Sequence, residues 1–136
     1  MKILILSILT LSSVAFAQQD PRILDECTQF IMRSPTIPDM ATAIKHCKFI
    51  KTMGCVEFVY QSLTVLRQED AVDACHFVEF PECVTWVFQS LTVKTREEAA
   101  TACHYVSSMD CLEKAYRDPS INSREEAAIA CQQLPK

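Results

Sequence analysis

The chain has 136 residues, a formal net charge of −4 and a single glycine. A mildly acidic sequence with scattered charges gives no electrostatic basis for binding nucleic acid or anionic lipid. All-β folds need many tight turns, which glycine serves best, so this composition favours helices joined by short connections. The length suits one domain.

Residues 1–17 have the features of a secretory signal peptide. Lys2 gives a positive start, residues 3–14 are mostly apolar, and a small-x-small triplet ends at Ala17. The apolar run is shorter than the ~20 residues that a membrane-spanning helix needs, so we expect cleavage after Ala17 rather than anchoring. The mature domain would be residues 18–136. We expect it to be secreted or periplasmic and to have no further contact with a membrane.

The cysteines define a repeat of 28 residues, because their spacings alternate between 20 and 8. The eight are Cys27, Cys47, Cys55, Cys75, Cys83, Cys103, Cys111 and Cys131. The rest of the sequence follows the same period. The segment QSLTV at 61–65 returns at 89–93, and REEAATAC at 96–103 returns almost unchanged at 124–131. A fixed period of this length is typical of stacked arrays of small supersecondary units.

Each unit is predicted to contain two helices of about ten to twelve residues. The first follows a cysteine and is apolar on nearly every side, as in CVTWVFQSLTV at 83–93, which indicates burial between neighbours. The second begins at a capping column, which consists of Asp39, Arg67, Thr95 and Ser123. Three of these four side chains can accept a hydrogen bond from the first amides. Thr95 with Glu98 and Ser123 with Glu126 also have the spacing of full capping boxes.

Two further columns predict how the helices pack. Small residues on the second helices would let paired helices approach closely; they are Ala43, Ala71, Ala99 and Ala127. Another column, Phe30, Phe58 and Trp86, becomes Lys114 in the last unit, so we expect it to contact the following unit. The sequence therefore predicts an all-α fold, a short α-solenoid of four helical hairpins.

The cysteines admit three chemical interpretations. Structural disulfides are favoured, since a secreted chain with an even number of regularly spaced cysteines is typical of them. Metal binding would use His46, His76 and His104, each adjacent to a cysteine, but zinc sites usually have closely spaced cysteine pairs. The end of a helix, where a cation complements the dipole, explains these histidines more simply. Redox catalysis would need a Cys-x-x-Cys motif, and the sequence has none.

Two disulfide pairings are compatible with the repeat. Pairing within units gives Cys27–Cys47, Cys55–Cys75, Cys83–Cys103 and Cys111–Cys131. Pairing between units gives Cys47–Cys55, Cys75–Cys83 and Cys103–Cys111. The second arrangement leaves Cys27 and Cys131 unpaired at opposite ends of the array, so pairing within units is favoured while both remain open.

The motif Ala-Cys, seven residues, Cys resembles the cysteine-rich branch of the Sel-like repeats, which are related to tetratricopeptide arrays. The residues that carry the likeness are Ala74-Cys75 with Cys83 and Ala102-Cys103 with Cys111. The present unit is shorter than theirs and lacks their glycine-rich turn. The resemblance implies an α-solenoid that binds proteins on its concave face. It also implies that disulfides close the seven-residue interval, which is the pairing between units.

The sequence contains none of the catalytic or phosphate-binding motifs that would indicate an enzyme. Glu97-Glu98 and Glu125-Glu126 lie at predicted helix starts, where capping and the helix dipole account for them. We therefore expect a non-catalytic, cofactor-free and metal-free monomer that binds an unknown protein or cell-surface partner, or serves as a structural module. Two alternatives are a periplasmic metal-binding protein that uses the Cys/His neighbours and an inhibitor of a secreted hydrolase.

Overall fold

Helices form all the regular structure in the part of the chain that the structure covers. The computed structural model describes residues 19–133, and the predicted signal peptide lies outside these residues. The eight helices in this range are α1 Pro21–Ile31, α2 Met40–Cys47, α3 Met53–Tyr60, α4 Gln68–Ala74, α5 Pro81–Phe88, α6 Arg96–Ala102, α7 Met109–Tyr116 and α8 Arg124–Ala130. They form four successive hairpins, which confirms the predicted repeat array.

Most of the helices are shorter than predicted. Only α1 reaches 11 residues, and the others have 7 or 8. The segments at 61–65 and 89–93, which the apolar pattern placed in the first helices, instead form the loops that lead to the second helices. Val65 and Val93 nevertheless remain buried, so their apolar character reflects a loop that folds back onto the core.

The capping column was predicted correctly, since each second helix begins directly after it. Thr95 and Glu98 form the complete capping box. At Ser123 the box is only half formed, contrary to the prediction. The Ser123 hydroxyl accepts the N–H of Glu126, but the Glu126 carboxylate accepts the N–H of Asn122 at 2.7 Å. In both units the glutamate accepts the N–H of the residue before the cap, and at Glu98 this bond is shorter than the bond to the N–H of the cap itself, 2.9 against 3.3 Å.

One disulfide closes each hairpin. The bonds are Cys27–Cys47, Cys55–Cys75, Cys83–Cys103 and Cys111–Cys131. The paired Cα atoms are 5.8–5.9 Å apart, within the usual range for disulfides. This confirms the pairing within units and uses all eight cysteines. The pairing between units, which the Sel-like resemblance implies, is not formed.

The second helix of each later hairpin packs against both helices of the hairpin before it. Thus α4 contacts α1 and α2, α6 contacts α3 and α4, and α8 contacts α5 and α6. The exposure of one repeat position, on the second helices, reflects this stacking. Ile44 of the first hairpin is 44% exposed, whereas its equivalents Val72, Ala100 and Ala128 are fully buried. The four predicted alanines are fully buried in every hairpin, so they serve the contact within each unit.

The aromatic column predicted to contact the following unit does so. Its edge-to-face ring pairs are Phe30 with Tyr60, Phe58 with Phe88 and Trp86 with Tyr116, at centroid distances of 5.1–5.8 Å. In the last hairpin Lys114 is exposed and forms an ion pair with Asp110 at 2.7 Å. The C-terminal end of the array is therefore polar, as the substitution predicted.

Candidate functional site

The histidines that follow cysteines join consecutive hairpins. His76 Nε2 lies 2.6 Å from the carbonyl oxygen of His46, and His104 Nε2 lies 2.8 Å from that of Ala74. In the last hairpin Gln132 Nε2 donates to the carbonyl of Ala102 at 3.0 Å. These carbonyls belong to the final turn of a helix, where they lack an intrahelical partner. Since glutamine can replace histidine here, the position requires an N–H donor rather than a metal ligand.

A main-chain ladder runs beside these contacts. The N–H of Phe77 donates to the carbonyl of Phe49, that of Tyr105 to Phe77 and that of Gln133 to Tyr105, at 2.7–3.1 Å. Phe77 and Tyr105 have φ values of 62° and 57°, in the left-handed region that glycine usually occupies after a helix. The Phe77 ring stacks on the Tyr105 ring at a centroid distance of 4.6 Å, and the Phe49 ring lies tilted against Phe77 at 4.8 Å. Contacts between these rings thus help to hold the left-handed backbone conformation, which residues other than glycine rarely adopt.

Two arginines at the start of second helices bind the preceding hairpin. Arg96 donates to the carbonyl of Phe58 at 2.6 Å and lies over the Phe58 ring. Arg124 donates to the carbonyl of Trp86 at 2.9 Å and lies over that ring. Each guanidinium therefore satisfies a carbonyl near the end of a helix and also makes a cation–π contact. The repeat pattern contains this column, but its role could not be seen without the stacking geometry.

Glu97, the first glutamate of its Glu-Glu pair, serves structure rather than acid–base chemistry. The Thr64 hydroxyl donates to Glu97 at 2.7 Å, and Thr36 likewise donates to Glu69, in the same column one hairpin earlier. Burial acts to raise the pKa of the buried Glu69 carboxyl. Hydrogen bonds from Thr36 and Ser34, together with the charge of Arg67, outweigh that effect and hold the pKa below its ordinary value. These two contacts hold the first and second loops against the hairpin that follows each of them.

None of the cysteine side chains is available as a thiolate for metal binding or redox chemistry. All eight sulfur atoms are in disulfides, and all but that of Cys111 belong to buried residues. Across residues 19–133, no group of three or more His, Cys, Asp or Glu side chains is arranged to hold a metal ion. The eight predicted disulfide positions are therefore brought together in pairs, and the neighbouring histidines belong to the stacking contacts.

Two open grooves lie between consecutive second helices on one face of the array, which we call the second-helix face. The acidic groove, between α6 and α8, has a volume of about 520 Å³, and its lining includes Glu97, Glu98, Glu125 and Ile129. The basic groove, between α2 and α4, has a volume of about 540 Å³. Its lining includes Lys45, Lys48, Phe49, His46 and Asp73. Ile129 is 54% exposed and Phe49 is 39% exposed, so both grooves combine charge with accessible apolar surface.

Comparisons with protein-family models, with curated proteins and with solved structures gave no match to this chain. Over the residues described, none of the helices has the length and apolar character required to cross a bilayer.

Proposed function

We propose that the chain is an exported, non-catalytic helical-repeat protein that binds a partner protein through its second-helix face. Four disulfides are compatible with an oxidising compartment, and the predicted signal peptide would direct the chain there. Stacked helical units commonly present an extended surface to partners, which is an argument from fold alone.

The observation that carries the proposal is the pair of grooves on the second-helix face. Several of their side chains make no contact that the array needs. Lys45 and Lys48 line the basic groove, while Ile129 and Glu125 line the acidic groove. Apolar residues surrounded by charges are the usual composition of a protein-binding surface. The opposite charge of the two grooves would orient a partner along the array.

Affinity capture tests this proposal directly. The oxidised mature chain would be immobilised and exposed to the fluid surrounding the producing cells, or to their periplasmic extract. We expect a specific protein to be retained by the wild type. Ile129→Lys or Lys45→Glu should reduce its recovery about tenfold or more, since each places in one groove a charge opposite to that of the groove.

Glu113→Gln is the matched control, because Glu113 is exposed on α7 and lines neither groove. Capture that is equal for the wild type and both groove variants would contradict the assignment to this face. Failure of the wild type to retain any protein would remove the binding proposal altogether.

A further inference from the structure

The two ends of the array differ in composition. In the last hairpin Lys114 replaces the aromatic residue that would contact a following unit, so that end is polar. The outer sides of α1 and α2, which we call the N-terminal end, show no such change. Met32, Met40 and Ile44 are all exposed there. An end repeat of a stacked array normally has a polar outer face, so folding alone does not explain this one.

In later hairpins the same three positions contact the preceding hairpin. The equivalents of Ile44 are buried by stacking. Met32 lies at the position of Tyr60, whose ring packs on an aromatic ring of the hairpin before it. Met40 lies at the position of Arg96, which donates to a main-chain carbonyl of the hairpin before it. The N-terminal end therefore keeps contact positions that have no hairpin to receive them, and one of these has become apolar.

An open groove of about 210 Å³ runs between α1 and α2 on this end. Leu24, Thr28, Met40 and Ile44 are part of its lining, and Asp25 is the charged residue among them. The groove thus combines apolar side chains from both helices with one carboxylate.

Asp25 and Lys48 place opposite charges on the N-terminal end. Asp25 stands where the three later hairpins have Met, Pro and Met, and Lys48 stands where they have the histidine or glutamine that binds the preceding unit. The Gln29 amide donates to the Asp25 carboxylate at 2.8 Å, which leaves the charge in place. Among the described residues neither Asp25 nor Lys48 is in an ion pair, whereas the nearby Arg22 is paired with Asp20.

The first disulfide holds these two charges at the same level of the hairpin. Asp25 lies two residues before Cys27 on α1, and Lys48 lies one residue after Cys47 at the end of α2. A twofold axis in the plane of this end and parallel to the helices would place α1 of one copy over α2 of another. Asp25 would then face Lys48 of the partner subunit, and the reverse contact would form as well. The N-terminal end is therefore complementary in charge to itself.

We propose that the N-terminal end is the interface of a symmetric dimer of this chain, in place of the monomer expected from the sequence. Pairing two N-terminal ends buries apolar surface on both sides. Stacking one on the C-terminal end of another copy would instead set it against the exposed Lys114 and Asp110. Two short helices offer each copy roughly 400 Å² of contact, about half of what a stable interface buries on each side, so the dimer should dissociate on dilution. The acidic groove lies at the other end of the array and stays free.

Sedimentation velocity tests the inference. The oxidised mature chain would be measured from low to high micromolar concentration, where we expect monomer to convert into dimer. Ile44→Asp should weaken the dimer at least about tenfold, because it buries an unpaired charge within the interface. Ile129→Asp is the matched control, since this isoleucine is also exposed but lies on the second-helix face. Helical circular dichroism should be unchanged in both variants, because neither side chain is buried.

Asp25→Lys and Lys48→Asp test the symmetry itself. Each substitution alone brings like charges together twice in the dimer and should weaken it about tenfold or more. An equimolar mixture of the two variants should dimerise about as well as the wild type, because the two chains then carry opposite charges at both contacts.

Three results would overturn the inference. The first is a wild type that stays monomeric at every concentration, which would leave the N-terminal end to residues 1–17 of the precursor or to a different protein. The second is an Ile44→Asp variant that dimerises as well as the wild type. The third is a mixture of the two charge variants that does not recover the dimer.

Discussion

The contact inside each hairpin and the contact between hairpins are stabilised in different ways. Inside, one disulfide and one buried alanine recur unchanged in all four units. Between hairpins, no disulfide is formed, and the polar residues that join neighbours vary with position. His76 and His104 become Gln132, for example. The hairpin is therefore a constant unit, while the stacking contacts adapt to the residues available at each step.

The largest effect on stability is expected from removing a disulfide, which is the same in every hairpin. Replacing Cys83 and Cys103 together with alanine should lower the free energy of unfolding by roughly 3 kcal/mol, because a 20-residue loop is no longer closed in the unfolded chain. Urea denaturation of the wild type and the variant measures this difference. A loss of less than about 1 kcal/mol would show that stacking alone fixes the hairpin.

Arg124→Ala tests the contact between hairpins. The guanidinium donates to the Trp86 carbonyl and to the Gln89 side chain at 2.9 and 2.6 Å, and it also covers the Trp86 ring. We expect a loss of about 2 kcal/mol in the free energy of unfolding, again from urea denaturation. Arg22→Ala is the control, since the Arg22 side chain is 91% exposed and should matter little. Equal effects of the two substitutions would contradict the assigned role of Arg124.

His104 allows a sharper comparison at the same kind of contact. His104→Leu leaves the Ala74 carbonyl without its partner and should cost about 1 kcal/mol of unfolding free energy. His104→Gln keeps an N–H donor, as Gln132 does naturally one hairpin later, and should be nearly neutral. Thermal unfolding of both variants at neutral pH distinguishes them. If glutamine is as damaging as leucine, the ring itself rather than the hydrogen bond is required.

The smallest predicted effect concerns acid sensitivity. Burial acts to raise the pKa of Glu69, but the hydroxyl hydrogen bonds and Arg67 lower it below the ordinary 4.5. The unfolded chain then binds this proton more readily, so the carboxylate stabilises the fold above its ordinary pKa. That stabilisation is lost as the pH falls through the lowered value.

Glu69→Gln should therefore flatten the acid side of a plot of melting temperature against pH. Glu113→Gln, an exposed substitution on α7, is the control and should leave the curve as it is in the wild type. An acid limb of unchanged slope in Glu69→Gln would show that Glu69 contributes no pH dependence.

Much of this architecture could be predicted from the sequence because it repeats. The alternating cysteine spacing fixed the units, and the substitution of Lys114 for an aromatic residue correctly marked the last one. The capping column placed the start of every second helix. Counting favoured the observed disulfide pairing without excluding the other, since only pairing within units leaves Cys27 and Cys131 with partners.

Other features depended on geometry that a periodic pattern does not contain. The ends of the first helices were placed too late, because Val65 and Val93 are apolar in a loop that folds back onto the core. The ladder through Phe77 and Tyr105 was not predicted, since aromatic residues rarely adopt positive φ.

The most direct test asks whether every disulfide lies within a hairpin and none joins two hairpins. It is a peptide map of the mature protein, digested without reduction and analysed by mass spectrometry. We expect four linked peptide pairs, joining Cys27 to Cys47, Cys55 to Cys75, Cys83 to Cys103 and Cys111 to Cys131. A peptide that joins Cys47 to Cys55 or Cys75 to Cys83, or a map dominated by free thiols, would contradict it.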